Sequence, residues 1–421
     1  MNDNRHGRLI ASALTLCAVV AGGTLTFGHG QESRARSLTD HPAIQYAGRP
    51  TTDRVAKLNQ ALVRGERSLA RESRTGYLAS ALQALGVPPE SQLLVFSKTG
   101  VQRAYVSPRN PRALYFDDSV VVGYVPGAPV IEVAAHDPQQ GTVFYTLDQS
   151  AARPVFNRQT TCLTCHVSAS TLDVPGLIAR SHAVDDEGNM MMFLDNNDVD
   201  HRTPHADRWG GWFVTSEAGE APYSQRAHEG NITLSGRGNT SNQVFVDWVN
   251  SEPETRGYLS ASSDVVALLA FDHQAHAMNL ITRLNWESRI VSSSGGRDEA
   301  IDRLANELAE YLLFVGEARL PVALVPRPGF AERLRSGTPK DARGRSLAQL
   351  DLVNGLLRYP CSYLIYSEAF DGLPPAAKTA VYHRMIDLLT TDDPRRGRLT
   401  AANRLAILDI LNATKPDFRD R

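Results

Sequence analysis

Residues 130–147 read VIEVAAHDPQQGTVFYTL, which is two runs of β-branched and aromatic residues separated by a polar segment. Runs 130–135 and 142–147 have the composition of β-strands. The segment between them, 136–141, contains proline and ends in glycine, as turns commonly do. The stretch therefore predicts a β-hairpin, with strands of about six residues.

Similar signals extend upstream of the hairpin. Segments 92–98 and 112–124 contain further strand-like runs of β-branched and aromatic residues. Segment 53–85 instead has leucines at helical spacing, at positions 58, 62, 69, 78, 82 and 85. We therefore expect residues 31–150 to form an α+β region.

The motif Cys162-Leu163-Thr164-Cys165-His166 follows this region. Two thiols two residues apart, with histidine immediately after, are typical of a c-type haem attachment site. The thiols of Cys162 and Cys165 add across the two vinyl groups of the porphyrin, and His166 is placed to bind the iron as the proximal ligand. The motif predicts one covalent haem c in a haem-bearing region that spans residues 151–260.

Two other chemistries use the same cysteine spacing. A thioredoxin-like dithiol requires the pair at the start of a helix in an α/β unit, which the flanking sequence does not suggest. A structural zinc site requires two more ligands at short spacing, and the chain has only four cysteines, with no second pair. Cys361 has no evident partner, and we expect it to be a buried, inert thiol.

The chain downstream of the haem motif changes from strand-like to helical. Segments 190–194, 211–215 and 243–249 resemble strands. From Asp264 onward apolar residues recur at helical spacing, and segments 301–315, 346–357, 375–389 and 400–412 predict further helices. Residues 261–421 are therefore expected to be mainly α-helical. The whole chain is predicted to be α+β and is not a minimal class I cytochrome c, which is about a hundred helical residues with its haem motif near the start.

The composition excludes some classes of partner and suggests a compartment. Of 421 residues, 44 are Lys or Arg and 46 are Asp or Glu, so the formal net charge is −2 and a nucleic-acid partner is not expected. Arg5 and Arg8 precede an uncharged run, 9–28, that has the form of a secretory signal or an N-terminal anchor within residues 1–30. The protein is expected to be exported to the periplasm, with no membrane span beyond that segment.

The residue on the other side of the haem iron separates an electron carrier from an enzyme. His273 and His276 share a predicted helix face with apolar residues, and His201 lies in a loop dense in His, Arg and Trp. Each of these histidines could instead be a hydrogen-bonded core residue. Arg283 is a candidate partner for a haem propionate, since guanidinium pairs bidentately with carboxylate.

Several segments resemble a family of exported bacterial proteins with a mono-haem cytochrome c domain, most of them without an assigned substrate. The similar segments are FSKTGVQRAYVSPRNPRALYFDD (96–118), DRWGGWFVTS (207–216), LLAFDHQAHAMNLITR (268–283) and RYPCSYLIYSEAFDGLP (358–374). The resemblance implies that haem and host fold form one unit. It also implies that His201 and His273 are the candidate distal or haem-pocket residues.

Two functions follow from these observations. In the first, the protein is a periplasmic electron-transfer cytochrome that exchanges electrons with a redox partner protein, and a second strong ligand closes the distal position. In the second, it is a haem enzyme, peroxidase-like for example, or a small-gas sensor with an open distal site. The large size favours the second function and the abundance of candidate ligands favours the first, which we prefer.

Overall fold

The computed structural model of the protein describes residues 38–185, 187–191, 196–215, 257–260, 262–295, 299–321, 323–326, 328–392 and 396–419. The predicted strand segment 243–249 lies outside these residues, as does most of segment 190–194. The chain is α+β, as the sequence predicts, with a six-stranded sheet followed by a mainly helical C-terminal part.

The sheet is an antiparallel meander in which each strand pairs with the next along the chain. Its strands are β1 (Leu93–Val95), β2 (Arg112–Phe116), β3 (Val120–Tyr124), β4 (Val130–Asp137), β5 (Gly141–Asp148) and β6 (Phe156–Arg158). The predicted hairpin is β4 and β5, in which Ala134 pairs with Phe144. The turn is set by Asp137, whose carboxylate accepts the backbone N–H groups of Gln139 and Gln140, and by Gly141 at a φ of 77°.

The two faces of the sheet are buried by different helices. Helices α1 (Arg54–Val63) and α2 (Leu78–Leu85) cover the face that carries Tyr115, Val133 and Tyr145. The opposite face carries Phe116, Ala134 and Phe144, and it packs against a later helix. Successive side chains of a strand point to opposite faces of the sheet. Neighbouring residues of β2, β4 and β5 therefore pack in different cores.

That later helix is α4 (Val265–Ser294), which the sheet, α5 (Glu299–Leu312) and α8 (Pro375–Thr390) surround. It begins at Asp264, whose carboxylate accepts the N–H groups of Val266 and Ala267, and it ends at Gly295 in the left-handed conformation. The sequence predicts one apolar face for α4, whereas most of its residues are buried. Because other elements pack against opposite sides of α4, its buried residues are not confined to one face.

The remaining elements complete the haem-motif region and the helical part. They are α3 (Leu163–His166), β7 (Arg180–His182), β8 (Asn196–Asp198), α6 (Phe330–Ser336), α7 (Glu368–Asp371), α9 (Ala401–Thr414) and α10 (Pro416–Arg419). One hydrophobic core includes residues of the sheet, of α4 and of the C-terminal helices. Among the described residues, no helix combines the length and apolar character needed to cross a bilayer.

Two predicted elements are wrong. Segment 346–357 is not a helix, because the Asp351 carboxylate accepts the N–H groups of Val353 and Asn354 and turns the chain. Segment 211–215 is not a strand: its residues Trp212 and Thr215 form only isolated bridges, to Val95 and Asp264. In both segments apolar side chains pack into the core although the backbone forms neither a helix nor a strand. Apolar residues alone therefore do not predict a regular element.

Candidate functional site

The haem motif lies on a single helical turn that follows the last strand of the sheet. Cys162 precedes α3, and its carbonyl accepts the backbone N–H groups of Cys165 (3.2 Å) and His166 (3.0 Å). Both cysteines are free thiols; Cys162 is half-buried and Cys165 is exposed. Burial, with a further contribution from Glu132, raises the pKa of the Cys162 thiol. The Cys165 side of the turn is therefore open to solvent.

The ring of His166 has a defined tautomer. Its Nδ1 lies 2.8 Å from the carbonyl oxygen of Gly176, and the ring packs on Phe144 with a centroid distance of 4.8 Å. A carbonyl oxygen only accepts, so Nδ1 carries the proton and Nε2 carries the lone pair. Burial lowers the pKa of His166 and keeps the ring neutral. A neutral imidazole whose other nitrogen donates to a backbone carbonyl is the form that binds metals.

A close approach between two segments holds that carbonyl in place. Gly176 lies against the side chain of Asn279 on α4, and a Cβ at position 176 would lie 2.8 Å from Asn279 Cγ and closer still to Oδ1. Asn279 is 1% exposed. Its Oδ1 accepts the N–H of Leu177 at 3.1 Å, and its Nδ2 donates to the Leu177 carbonyl at 2.7 Å. Only glycine fits this packing, which fixes the segment that orients His166.

Charged side chains surround His166, and sequence reasoning did not identify them. Arg180 and Arg112 both lie close enough to oppose a charge on the ring, and Glu132 lies close enough to favour one. Arg112 is 3.6 Å from the Glu132 carboxylate across the sheet, and Arg180 pairs with Asp198 at 2.8 Å. The two arginines are distant from the motif in sequence, and only the strand register and the β7–β8 pairing bring them near it.

Arg283, the predicted propionate partner, also lies beside the motif region. Its Nη1 donates to the carbonyl of Leu172 at 3.2 Å, and its Nη2 pairs with Glu287 at 2.9 Å. The guanidinium therefore already has a carboxylate partner on the same helix. Arg112 and Arg180, whose charges act on His166, likewise have carboxylate partners, and they are additional candidates for the same role.

A cavity of about 170 Å³ lies between the segment that follows the motif and helix α4. Its polar lining includes His276 and Asn279 from the helix and Asp200 from the opposite side. Arg202 donates to Nε2 of His276 at 3.3 Å, so the Nδ1 of that ring carries the proton. His276 thus lines the cavity beside the haem motif, one helical turn from the predicted His273.

His201 and His273 form a buried network of their own. Their Nδ1 atoms lie 2.8 Å apart, and Nε2 of His273 lies 2.7 Å from Oγ of Ser362. Tyr311 and Phe314 stack on both rings, with centroid distances of 4.2 to 5.0 Å. Burial lowers the pKa of His273 to about 3, and it also lowers the pKa of His201 well below its usual value. The structure thus brings the two predicted histidines into contact with each other.

This network has different consequences for His201 and His273 as candidate iron ligands. Both ring nitrogens of His273 are engaged, so a bond from His273 to iron would require breaking one of those contacts. His201 retains a buried Nε2 with no hydrogen-bond partner. If the His201 Nδ1 donates to His273, that Nε2 carries a lone pair available to a ligand. Of the two predicted residues, only His201 therefore keeps a ring nitrogen without a hydrogen-bond partner, and His273 is held by two contacts.

A buried ion pair fixes the loop that carries His201. Arg208 and Asp272 are almost completely buried, with the Arg208 Nη1 3.4 Å from the Asp272 carboxylate. Trp209 Nε1 donates to the same carboxylate at 2.9 Å, and Arg208 Nη2 donates to the His201 carbonyl at 2.8 Å. Burial raises the pKa of Asp272, and Arg208 and Trp209 oppose that rise. The dense loop predicted near the haem is thus tied directly to α4.

Three observations concern the other chemistries of cysteine. Cys361 is fully buried, and burial raises the pKa of its thiol, as expected for an inert residue. Within the described part of the chain, no group of three or more His, Cys, Asp or Glu side chains could hold a metal ion. The Cys162–Cys165 pair follows an antiparallel strand and begins only a four-residue helix. Neither a zinc site nor a thioredoxin-like unit is found among these residues.

Comparisons with known proteins give no match: no protein-family model, no curated protein and no solved structure is significantly similar to the chain.

Proposed function

We propose that the protein binds one covalent haem c through Cys162, Cys165 and His166, and that it transfers electrons. One observation carries the proposal: His166 donates from Nδ1 to the Gly176 carbonyl and leaves Nε2 free, on the same turn as two cysteines that are not joined in a disulfide. These are the groups that haem c attachment requires. The haem would supply one-electron redox chemistry at this turn.

The surroundings of the motif also fit the group. Arg112 and Arg180, with Arg283 farther along, would offer guanidinium groups to the propionates. Phe144 supplies an apolar surface beside the ligand ring. Because Cys165 is exposed, the attached edge would lie at the protein surface, where a redox partner protein can approach it. This placement favours electron transfer over chemistry in a closed interior.

Export belongs to the same proposal. The uncharged run 9–28 after two arginines supports passage through the inner membrane, with a periplasmic location and an optional N-terminal anchor. Cell fractionation of a tagged full-length chain would test this. Recovery of the haem-loaded protein with the periplasmic or inner-membrane fraction is expected, and recovery with the cytoplasm would contradict it.

The test of the haem proposal is a visible spectrum of the full chain made with a haem c maturation system. A reduced c-type band that survives denaturation is expected in the wild type, and C162S/C165S should lose it. C361A is the matched control, since it removes a thiol remote from the motif and should keep the band. A wild-type protein with no bound haem and a titratable Cys162–Cys165 dithiol would refute the proposal in favour of a redox dithiol.

A second candidate function is a haem enzyme or gas sensor, which the cavity lined by His276 and Asp200 favours. The cavity volume of about 170 Å³ suits a ligand of a few heavy atoms, and an Nδ1–H of His276 could donate to it. Carbon monoxide separates the two functions. An unchanged reduced spectrum supports two closed axial positions and electron transfer, whereas a prompt shift supports an open distal site.

A further inference from the structure

The peptide group between Gly176 and Leu177 is hydrogen-bonded at both ends. Its carbonyl oxygen accepts from Nδ1 of His166 at 2.8 Å, and its N–H donates to Oδ1 of Asn279 at 3.1 Å. Asn279 also donates from Nδ2 to the Leu177 carbonyl at 2.7 Å. A side chain of helix α4, more than a hundred residues from the motif, therefore reaches His166 through a single peptide group.

Hydrogen bonds at the two ends of one peptide group strengthen each other. When Asn279 accepts the N–H, electron density shifts toward the carbonyl oxygen and makes it a better acceptor. A stronger acceptor draws the Nδ1 proton of His166 and makes the other ring nitrogen a stronger electron donor. Asn279 is 1% exposed, so bulk water does not compete for these contacts.

We propose that Asn279 is a positioning residue that lowers the reduction potential of the haem iron through this peptide group and His166. This inference rests on the proposed function, because it requires iron on Nε2 of His166. A more strongly donating imidazole stabilises the oxidised iron relative to the reduced iron. Removing the Asn279 acceptor should therefore raise the midpoint potential.

The fit of Gly176 supports the same arrangement. Asn279 and the peptide are so close that a Cβ at position 176 would lie 2.8 Å from the Asn279 Cγ and 3.2 Å from the Thr171 Cβ. Asn279 is almost completely buried at this close contact, and it also lines the cavity beside the motif. Electronic coupling between hydrogen bonds is stronger in such surroundings than in bulk water.

The chain offers a matched control on the same helix. Asn285 is 4% exposed, and its Nδ2 donates to the carbonyls of Pro138 (3.1 Å) and Gly372 (3.0 Å). N285L removes two backbone contacts of a buried asparagine, as N279L does, but it leaves the Gly176–Leu177 peptide untouched. A general loosening of α4 would move both variants alike, whereas the proposed coupling moves only N279L.

The experiment is a spectroelectrochemical titration of the full-length, haem-loaded wild type, N279L and N285L. We expect N279L to favour the reduced state by up to about tenfold in the reduction equilibrium constant, where tenfold corresponds to about 59 mV for one electron. N285L should match the wild type. N279V, a smaller apolar replacement, has the same expected shift and is measured if N279L does not accumulate.

The outcomes are distinguishable. A wild type without covalent haem refutes the proposed function, and this inference with it. A haem-loaded wild type whose N279L or N279V variant has an unchanged midpoint, a lower midpoint, or a shift equal to that of N285L refutes the role of Asn279 alone. A rise confined to the Asn279 variants supports it.

Discussion

Replacing Gly176 by alanine should destabilise the protein and also disturb His166, the proposed haem ligand. The added Cβ would lie 2.8 Å from the Asn279 Cγ, inside ordinary contact distance, and 3.2 Å from the Thr171 Cβ. Asn279 cannot yield without losing its two hydrogen bonds to Leu177. Overpacking costs about 1–3 kcal/mol, and each lost hydrogen bond about 1 kcal/mol. The expected loss in free energy of unfolding is therefore roughly 3–5 kcal/mol.

Urea unfolding of the full-length, haem-loaded protein measures this loss. G48A is the control, because the nearest atom to a Cβ at position 48 is 4.0 Å away, and it should leave stability unchanged or slightly improved. The visible spectrum of G176A should also show weakened binding of His166, since the displaced carbonyl no longer holds Nδ1. If G176A unfolds at the same urea concentration as G48A, the close approach of Gly176 and Asn279 is not as described.

Two further predictions concern the buried polar groups. D272N leaves the Arg208 guanidinium buried without a carboxylate, and it should lower the free energy of unfolding, measured in urea, by about 3–5 kcal/mol. A loss below about 1 kcal/mol, the usual value for surface pairs, would contradict the buried pair. Burial lowers the pKa of His136 to about 4 and that of His273 to about 3, from 6.5. Below pH 6.5 the unfolded chain binds protons that these folded histidines do not, so stability is complete above pH 6.5 and decreases as the pH falls toward 4 and 3. Asp272, whose pKa burial raises to about 7, contributes a slope of opposite sign in the same range, so the informative quantity is the difference between the wild type and H136Q. Urea unfolding of both proteins between pH 7 and pH 4 measures this difference, and a difference that does not change with pH would show that His136 is not buried as a neutral group.

The local elements of this fold were largely predictable. Two runs of β-branched and aromatic residues around a turn predicted the β4–β5 hairpin, because both faces of each strand are buried and must supply apolar side chains. Apolar residues at helical spacing predicted α5, α8 and α9. The helix predicted at 346–357 does not form because the side chain of Asp351 competes with helical hydrogen bonding. The spacing of apolar residues carries no information about that competition.

The candidate site was also only partly predictable from the sequence. Cysteine spacing alone singled out Cys162, Cys165 and His166, because thioether attachment and axial ligation impose a fixed local geometry. The partners of His166 carry no such pattern. Arg112 lies on a strand, Arg180 on a second small sheet and Asn279 on a helix, and no spacing along the chain relates them to the motif.

The sequence by itself determined the chemistry that a short segment can perform, since five consecutive residues supply both thiols and the imidazole of the predicted haem site. The tertiary structure decided what surrounds and tunes that segment. It paired His201 with His273 instead of leaving either one free, it placed His276 on the cavity, and it set Asn279 against Gly176. The physical reason is range: covalent spacing fixes neighbours within one helical turn, whereas burial, hydrogen-bond partners and electrostatic surroundings come from segments that only packing brings together.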